Sequence, residues 1–232
     1  MSQFAPLDAW VFDLDNTLYP ASSSIFPQID VRMRRFIALR LNLPENEAHV
    51  LQKDYYRRFG TTLRGLMLVN HVEPSEFLDY VHQIDHSVLD GDPALDQALA
   101  LLPGRKLVFT NGSESHAVKV LDRLGIARHF EAIFDIKGAG WVPKPNLECY
   151  QTLLARHALN PATSAMVEDL ERNLVAPAQL GMTTVWVRAA DHPDDGFLPP
   201  VPADLSHIHF ITDDLAAWLE RDAIQLHHAL AF

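Results

Sequence analysis

The chain is poor in several features whose scarcity limits what the protein can be. Its 232 residues include one cysteine, Cys149, so no disulfide can form within the chain. Cys149 lies in a helical pattern and is interpreted as a small packed residue, because a reactive thiolate requires a special environment that the sequence does not indicate. No apolar stretch approaches the roughly 20 residues of a membrane span, and no basic segment followed by an apolar one marks a secretion signal. We therefore expect a cytoplasmic protein.

Positive charge is also scarce. Lysine and arginine number 19 against 30 acidic residues, which gives a formal charge of −11. This balance argues against nucleic-acid backbones and anionic membranes as partners. It does not exclude a small anionic substrate, because a metal ion and one or two lysines can make the local electrostatic potential of a site positive. No Gly-x-Gly-x-x-Gly follows the first predicted strand, which argues against dinucleotide binding.

Short apolar runs alternate with helical patterns along much of the chain. The predicted strands are 9–12, 106–110, 132–136, 165–167, 184–187 and 207–211. Helical spacing predicts helices between the later strands, two of them ended by Gly125 and Gly181. This alternation predicts an α/β fold with a doubly wound, parallel, Rossmann-like sheet. The Pro and Asp content of residues 191–202 predicts a surface loop. We interpret His227 and His228 as part of a solvated helix face.

The segment 21–89 interrupts the alternation. It contains no convincing strand, and its apolar residues follow helical spacing over several turns. We predict a small helical cap at 21–89, inserted after the first strand, and a core made of 1–20 and 90–232. The cap would lie over the carboxyl end of the sheet like a lid.

Two carboxylates, Asp13 and Asp15, stand where the first strand ends. The carboxyl end of a parallel sheet is where ligands bind. An uncompensated pair of carboxylates repels and costs stability. A hard divalent cation such as Mg²⁺, which prefers oxygen ligands, would relieve that repulsion.

Three further segments place polar groups after apolar runs. Thr110 and Asn111 end one strand just before a helix, where hydroxyl and backbone N–H groups form an anion site. Lys144 stands between two prolines whose fixed φ angles stiffen its loop. Glu168 and Asp169 end another strand.

Each segment alone has a simpler interpretation as a turn, a helix cap or a surface residue. Together, in this order and at strand ends, they favour a catalytic site over these structural interpretations. They supply a nucleophile, a proton donor, metal ligands, a hydroxyl and a cation, which is the set that phosphoryl transfer requires.

The four segments resemble the motifs of the haloacid-dehalogenase-like phosphohydrolases, over nearly the whole chain. The resemblance implies that Asp13 is a nucleophile that forms an aspartyl-phosphate. It implies that Asp15 protonates the leaving oxygen and then deprotonates the attacking water. That acid role leads us to expect an environment that raises the pKa of Asp15.

The same resemblance implies the remaining roles. Thr110 and Asn111 would hold phosphate oxygens, and Lys144 would bridge phosphate and the nucleophile. Mg²⁺ would be bound by Asp169, by Asp13 and by the backbone carbonyl of Asp15, while Glu168 would act through a metal-bound water. Many family members have Asp at the position of Glu168, and Glu is also common there.

A closer resemblance involves the insertion. The runs 15–19 and 54–66 are similar to the pyrimidine 5′-nucleotidase branch of fungi and bacteria. They imply a nucleoside monophosphate substrate, such as UMP or CMP. Tyr55, Tyr56 and Arg64 are the candidates for contact with the base. The simpler alternative is that Gly60 and Gly65 shape a turn while the tyrosines pack inside the cap.

Other functions remain as alternatives. A sugar phosphatase or phosphosugar mutase has the same core motifs. A haloacid dehalogenase uses the same nucleophile without a metal, and Asp15 with Glu168 and Asp169 argues against it. A receiver-type signalling module also clusters acids, a threonine and a lysine, but it is about half this length and has no lid. The sequence leaves the oligomeric state open.

Overall fold

The structure, a computed structural model, describes residues 6–188 and 201–223 and is built around a six-stranded sheet. Its strands are β1 (Ala9–Phe12), β2 (Arg105–Phe109), β3 (Ala132–Phe134), β4 (Ser164–Glu168), β5 (Thr183–Val187) and β6 (Phe210–Thr212). They lie in the order β3-β2-β1-β4-β5-β6, and every neighbouring pair is parallel. This order reverses direction at β1, so the predicted doubly wound parallel fold is confirmed.

Five of the six predicted strands have different bounds in the structure, and β3 and β6 differ by more than one residue. β3 ends at Phe134, two residues early, and in the turn that follows the Asp135 carboxylate accepts hydrogen bonds from the N–H groups of Glu114 and Gly138 at 3.0 and 2.8 Å. β6 begins only at Phe210, because the His207 carbonyl instead accepts a hydrogen bond from the Thr184 hydroxyl at 2.7 Å. At β6 a side chain thus takes up backbone hydrogen-bonding capacity that the apolar pattern assigns to a strand.

Four helices stand between β1 and β2, followed by a fifth that leads into β2. They are α1 (Ile25–Leu41), α2 (Glu45–Phe59), α3 (Thr62–Asn70), α4 (Pro74–Val81) and α5 (Pro93–Leu101). No strand falls within residues 21–89, all of which the structure describes. The later helices are α6 (Glu114–Leu124), α7 (Leu147–Arg156), α8 (Val175–Gln179) and α9 (Leu215–Trp218).

The central strand β1 is buried on both faces, which explains its unbroken apolar sequence. Trp10 and Phe12 join one apolar cluster, which also contains residues from α1, α3 and α4. Ala9 and Val11 point into a second cluster on the opposite face. Cys149 packs in that second cluster, and burial raises the pKa of its thiol to about 12, so it is a packed thiol at neutral pH.

Two predictions fall on residues that the structure does not describe. Most of the loop predicted at 191–202 and both His227 and His228 lie outside residues 6–188 and 201–223. Within those described ranges, no helix has the length and apolar character that crossing a bilayer would need.

The packing of α3 against α2 generates the first prediction. A Cβ atom added to Gly65 would lie 2.4 Å from Cγ of Tyr55, well inside van der Waals contact. Alanine is the better helix former, by about 1 kcal/mol, but the overlap involves atoms near the Tyr55 backbone that cannot swing aside. We expect Gly65→Ala to lower the free energy of unfolding by about 1–3 kcal/mol, measured by denaturant titration.

The control for this variant is Leu68→Ala on the same helix. Leu68 is exposed, so its truncation should change stability by less than about 0.5 kcal/mol. Equal stability of Gly65→Ala and the unaltered protein would contradict the described packing of Tyr55.

Candidate active site

Three adjacent strands bring the predicted site residues to one edge of the sheet. β1 lies between β2 and β4, and the chain leaves all three at their carboxyl ends. Asp13 follows β1, and its N–H donates to the Val167 carbonyl at 2.9 Å. Thr110 follows β2, while Glu168 ends β4 and Asp169 comes next. Parallel pairing therefore places these four side chains together, as the sequence predicts.

Lys144 joins all three of these strand ends. Its Nζ donates to Asp13 Oδ1 at 2.5 Å, to Glu168 Oε1 at 2.6 Å and to the Phe109 carbonyl at 3.1 Å. The side chain is 2% exposed. Burial alone would lower the pKa of Lys144, but Asp13 and Glu168 outweigh it and hold that pKa above the usual range. Lys144 is therefore a fixed positive charge against the predicted nucleophile.

The amide of Asn111 holds the loop that carries Lys144. Its Oδ1 accepts from the Lys144 N–H at 2.9 Å, and its Nδ2 donates to the Lys144 carbonyl at 3.3 Å. One Nδ2 hydrogen remains after this pairing, because an amide NH2 group has two donors. Asn111 lines the cavity, so its predicted contact with phosphate stays a prediction.

Two hydroxyl groups flank the acids. The Thr110 Oγ1 accepts from the Gly112 N–H at 2.9 Å, and an accepting hydroxyl still has its own hydrogen to donate. Thr17 donates to Asp13 Oδ2 at 3.0 Å. With Lys144 on its other oxygen, the Asp13 carboxylate is held at both ends.

Three acids form the metal-binding candidate among the described residues. Carboxylate oxygens of Asp13, Glu168 and Asp169 all lie within 4.8 Å of one another. Burial, followed by the charges of Glu168 and Asp13, raises the pKa of Asp169 well above its usual value. Burial is also the largest cause that raises the pKa of Asp13, to about 7, against the opposing effect of Lys144. One lysine therefore does not compensate the negative charge of this cluster.

Glu168 already has several hydrogen-bond donors. Besides Lys144, its Oε1 accepts from Asn173 Nδ2 at 2.6 Å, and its Oε2 accepts from the Leu170 N–H at 2.8 Å. Burial would raise the pKa of Glu168, but Lys144, the Leu170 N–H and a hydrogen bond with Asp169 lower it. Its carboxylate is fixed more fully than that of Asp169.

The expected increase in the pKa of Asp15 is not found. Burial acts in that direction, but His116 and Tyr19 outweigh it and lower the pKa of Asp15 to about 2. Asp15 Oδ1 accepts from the Tyr19 hydroxyl at 2.5 Å and contacts His116 Nε2 at 3.0 Å. A bound phosphate dianion would act in the opposite direction, because a like charge disfavours the carboxylate form.

A cavity of about 470 Å³ extends from these acids into the helices of residues 21–89. Its floor includes Asp13, Asp15, Thr110, Asn111, Lys144 and Asp169. Its walls include the apolar residues Phe26, Ile29, Met33 and Phe77, together with the polar residues Gln52 and Tyr56. The volume falls in the range of small-molecule sites.

Two of the predicted base contacts, Tyr55 and Arg64, do not line this cavity. Tyr55 is buried, and its hydroxyl donates to Asn70 at 2.7 Å. Arg64 donates to the Trp141 carbonyl at 3.1 Å, so it ties α3 to the core. The helical phase of α2 turns Tyr56, rather than Tyr55, toward the cavity.

Sequence comparison now decides the family. A model of the family described as haloacid dehalogenase-like hydrolase matches residues 7–181. The chain belongs to this family. The match spans the strand ends that carry Asp13, Thr110 and Asp169.

One curated relative of this hydrolase is Phosphate metabolism protein 8 of Saccharomyces cerevisiae. The two are 28% identical over 189 residues, which cover 74% of this chain and 58% of the yeast protein. The chain thus matches less than two thirds of that relative's length.

Solved structures share the fold of this hydrolase. A HAD phosphatase from Thermococcus onnurineus superposes with a TM-score of 0.63 at 16% identity, covering 92% of this chain and 96% of the other. A HAD family hydrolase from Deinococcus radiodurans R1, with bound phosphate and sodium, has a TM-score of 0.59 at 22% identity and covers 96% and 97%. At these identities the likeness concerns the fold.

Several residues that contact the predicted machinery of this hydrolase were missed by sequence reasoning. They are Tyr19, His116 and Asn173. His116 gave a usable signal, because it is a polar residue on the apolar face of α6. The other two carry no such signal, since their contacts depend on loop geometry.

The histidines beside Asp15 generate a second prediction. His82 stacks on His116 with ring centroids 4.4 Å apart, and its Nδ1 contacts the Ser113 hydroxyl at 2.8 Å. Burial, then the charge of His116, lowers the pKa of His82 to about 3. Between about pH 6.5 and 3 the unfolded chain therefore binds a proton at His82 that the folded protein does not, so this group makes stability fall as the pH falls.

We expect acidification from pH 7.5 to pH 5 to destabilise the unaltered protein more than the His82→Asn variant. Asparagine keeps a polar contact for Ser113 but has no imidazole to titrate. Denaturant unfolding of both proteins at the two pH values measures the difference. An equal loss of stability in both would show that His82 titrates normally in the folded state.

Proposed function

We propose that this hydrolase is a Mg²⁺-dependent phosphomonoesterase that acts on nucleoside 5′-monophosphates, with pyrimidine nucleotides preferred. The observation that carries the proposal is the contact of Lys144 with Asp13 at the floor of a cavity that also holds Asp15, Thr110 and Asp169. Phosphoryl transfer needs a positioned nucleophile and positive charge near the equatorial oxygens of the phosphate.

In the proposed reaction, a carboxylate oxygen of Asp13 attacks phosphorus and forms an aspartyl-phosphate as the bond to the leaving oxygen breaks. A carboxylate is a weak nucleophile toward a phosphate dianion because like charges repel. Lys144 reduces that repulsion, and Thr110 with its neighbouring N–H groups would hold the phosphate oxygens. Water then attacks the same phosphorus and releases Asp13.

Asp15 would move the protons in both steps. It would donate a proton to the leaving oxygen and later accept one from the attacking water, so that it ends each cycle protonated as it began. Asp15 lines the cavity beside Asp13, where the leaving oxygen and the attacking water would lie.

The acid cluster fits Mg²⁺. Asp13 and Asp169, together with the backbone carbonyl of Asp15, would hold the ion, and Glu168 would contact a metal-bound water. The fit rests on the clustered oxygen ligands and on the raised pKa of Asp169, which marks uncompensated negative charge. When bound, the ion would supply Lewis-acid stabilisation of the phosphoryl oxygens.

The cavity and the helices above it support the proposed substrate class. We assign residues 21–89 to a cap and 1–20 with 90–232 to a core that carries the chemistry. The cap portion of the cavity has walls of Phe26, Ile29, Met33 and Phe77, which suit a flat heteroaromatic leaving group. The similarity of runs 15–19 and 54–66 to pyrimidine 5′-nucleotidases supports this assignment.

A phosphate-release panel tests the proposal. UMP and CMP should have higher kcat/KM than AMP and than hexose phosphates in the presence of Mg²⁺. Met33→Trp should fill the cap portion of the cavity. It should lower kcat/KM for UMP at least about tenfold more than for acetyl phosphate, whose leaving group is small.

Leu39→Trp is the matched control, because Leu39 lies on the same helix but is 74% exposed. It should leave kcat/KM for UMP and for acetyl phosphate as in the unaltered protein. A preference for sugar phosphates over UMP and CMP would overturn the nucleotide assignment, and no phosphate release from any ester would overturn the phosphatase.

The metal role generates a separate prediction. Chelation should abolish phosphate release, and Mg²⁺ should restore it. Asp169→Asn should raise the Mg²⁺ concentration needed for half-maximal activity far more than Glu168→Gln, because Glu168 is held by Asn173 and Leu170 as well as by Lys144. Full activity in excess chelator would contradict the metal assignment.

A further inference from the structure

A buried histidine lies beside Asp15 where the helix pattern predicts an apolar residue. α6 buries Ala117, Val120, Leu121 and Leu124 along one face, and His116 occupies the same face with no exposed surface. A buried imidazole has to satisfy its polar nitrogens. His116 does so through Asp15 and His86, which come from distant parts of the chain.

The hydrogen bonds of Asp15 are asymmetric. Its Oδ1 accepts from the Tyr19 hydroxyl and faces His116 Nε2. Because Nε2 faces a carboxylate, this nitrogen carries hydrogen whichever charge the ring has. Two donors from buried side chains on one oxygen fix the rotation of the carboxyl group. They leave Oδ2 as the oxygen available to a molecule in the cavity that Asp15 lines.

The ring of His116 is itself held in place. Its Nδ1 lies 3.3 Å from His86 Nε2. His82 stacks on it with an interplanar angle of 9°. The hydroxyl of Ser113, the residue that caps α6, in turn contacts His82. The same turn that follows Thr110 therefore starts the helix that delivers His116 to Asp15.

We propose that His116 is a positioning residue, which holds Oδ1 of Asp15 so that Oδ2 faces the leaving-group oxygen. The inference rests on the proposed phosphatase reaction and adds a residue to it. A proton on Oδ2 passes to the leaving oxygen while the phosphorus–oxygen bond breaks and the Asp13–phosphorus bond forms. Without His116 the carboxyl group could rotate, and Oδ2 would face the leaving-group oxygen in a smaller fraction of enzyme–substrate complexes.

The test compares two leaving groups. The ribose oxygen of UMP is a strongly basic leaving group that needs the proton, whereas p-nitrophenolate leaves readily without one. The kcat/KM value reports the steps up to loss of the leaving group. We expect His116→Leu to lower kcat/KM for UMP by at least about tenfold more than for p-nitrophenyl phosphate. His116→Gln, which keeps an N–H donor, should recover most of that difference.

A double-mutant cycle tests whether His116 acts through Asp15. Asp15→Asn should show the same selective loss on UMP. The double variant Asp15→Asn/His116→Leu should be no worse than Asp15→Asn alone, because the positioned group is already gone. His157→Leu is the matched control, since this half-buried ring lies outside the cavity and meets the Phe134 ring edge to face. It should leave the ratio of kcat/KM for UMP to kcat/KM for p-nitrophenyl phosphate unchanged.

Three outcomes would overturn the inference. They are equal losses on both substrates in His116→Leu and His116→Gln, losses that multiply in the double variant, and unchanged kinetics in His116→Leu. If Asp15→Asn itself shows no selective loss on UMP, the acid role in the proposed function fails, and that failure is visible without any His116 variant.

Discussion

One buried cation organises the site. Lys144 is in contact with Asp13 and Glu168, which come from the ends of two neighbouring strands, and it has almost no access to water. Removing one partner from such a buried pair typically costs about 3–5 kcal/mol, because the other charge is left uncompensated. The acids at these strand ends can therefore coexist only while the loop that carries Lys144 stays in place. That requirement gives Asn111 its structural role, since its amide pairs with both backbone groups of Lys144.

The loop that carries Lys144 also contacts the helices of residues 21–89. A Cβ atom on Gly60 would lie 3.7 Å from the Lys144 carbonyl, and Arg64 donates to the carbonyl of Trp141. A further contact joins the Tyr56 hydroxyl to Arg172. The loop that places Lys144 against Asp13 thus also contacts the helices of residues 21–89 that line the cavity. A shift of this loop would therefore change both the contact with Asp13 and the shape of the cavity.

The sequence predicted those features that depend on strand order and on the spacing of apolar residues. Asp13, Thr110, Glu168 and Asp169 meet because parallel strands end at one edge, which the alternating pattern already implies. Side-chain direction within the helices was harder to predict. Of the candidate base contacts Tyr55, Tyr56 and Arg64, Tyr56 alone lines the cavity. The pKa of Asp15 also escaped prediction, because it depends on His116, a partner 101 residues away. Contacts of this kind follow from three-dimensional packing and leave little trace in local pattern.

The central claim is that Asp13 forms a covalent bond to phosphorus, and direct detection of the phosphoenzyme tests it best. The protein would be mixed with UMP and Mg²⁺, quenched in acid within milliseconds, digested and analysed by mass spectrometry. The account predicts one added phosphoryl group on the peptide that contains Asp13, and none in the Asp13→Asn variant. Rapid turnover with no phosphorylated peptide at any quench time, or equal turnover in Asp13→Asn, would contradict it.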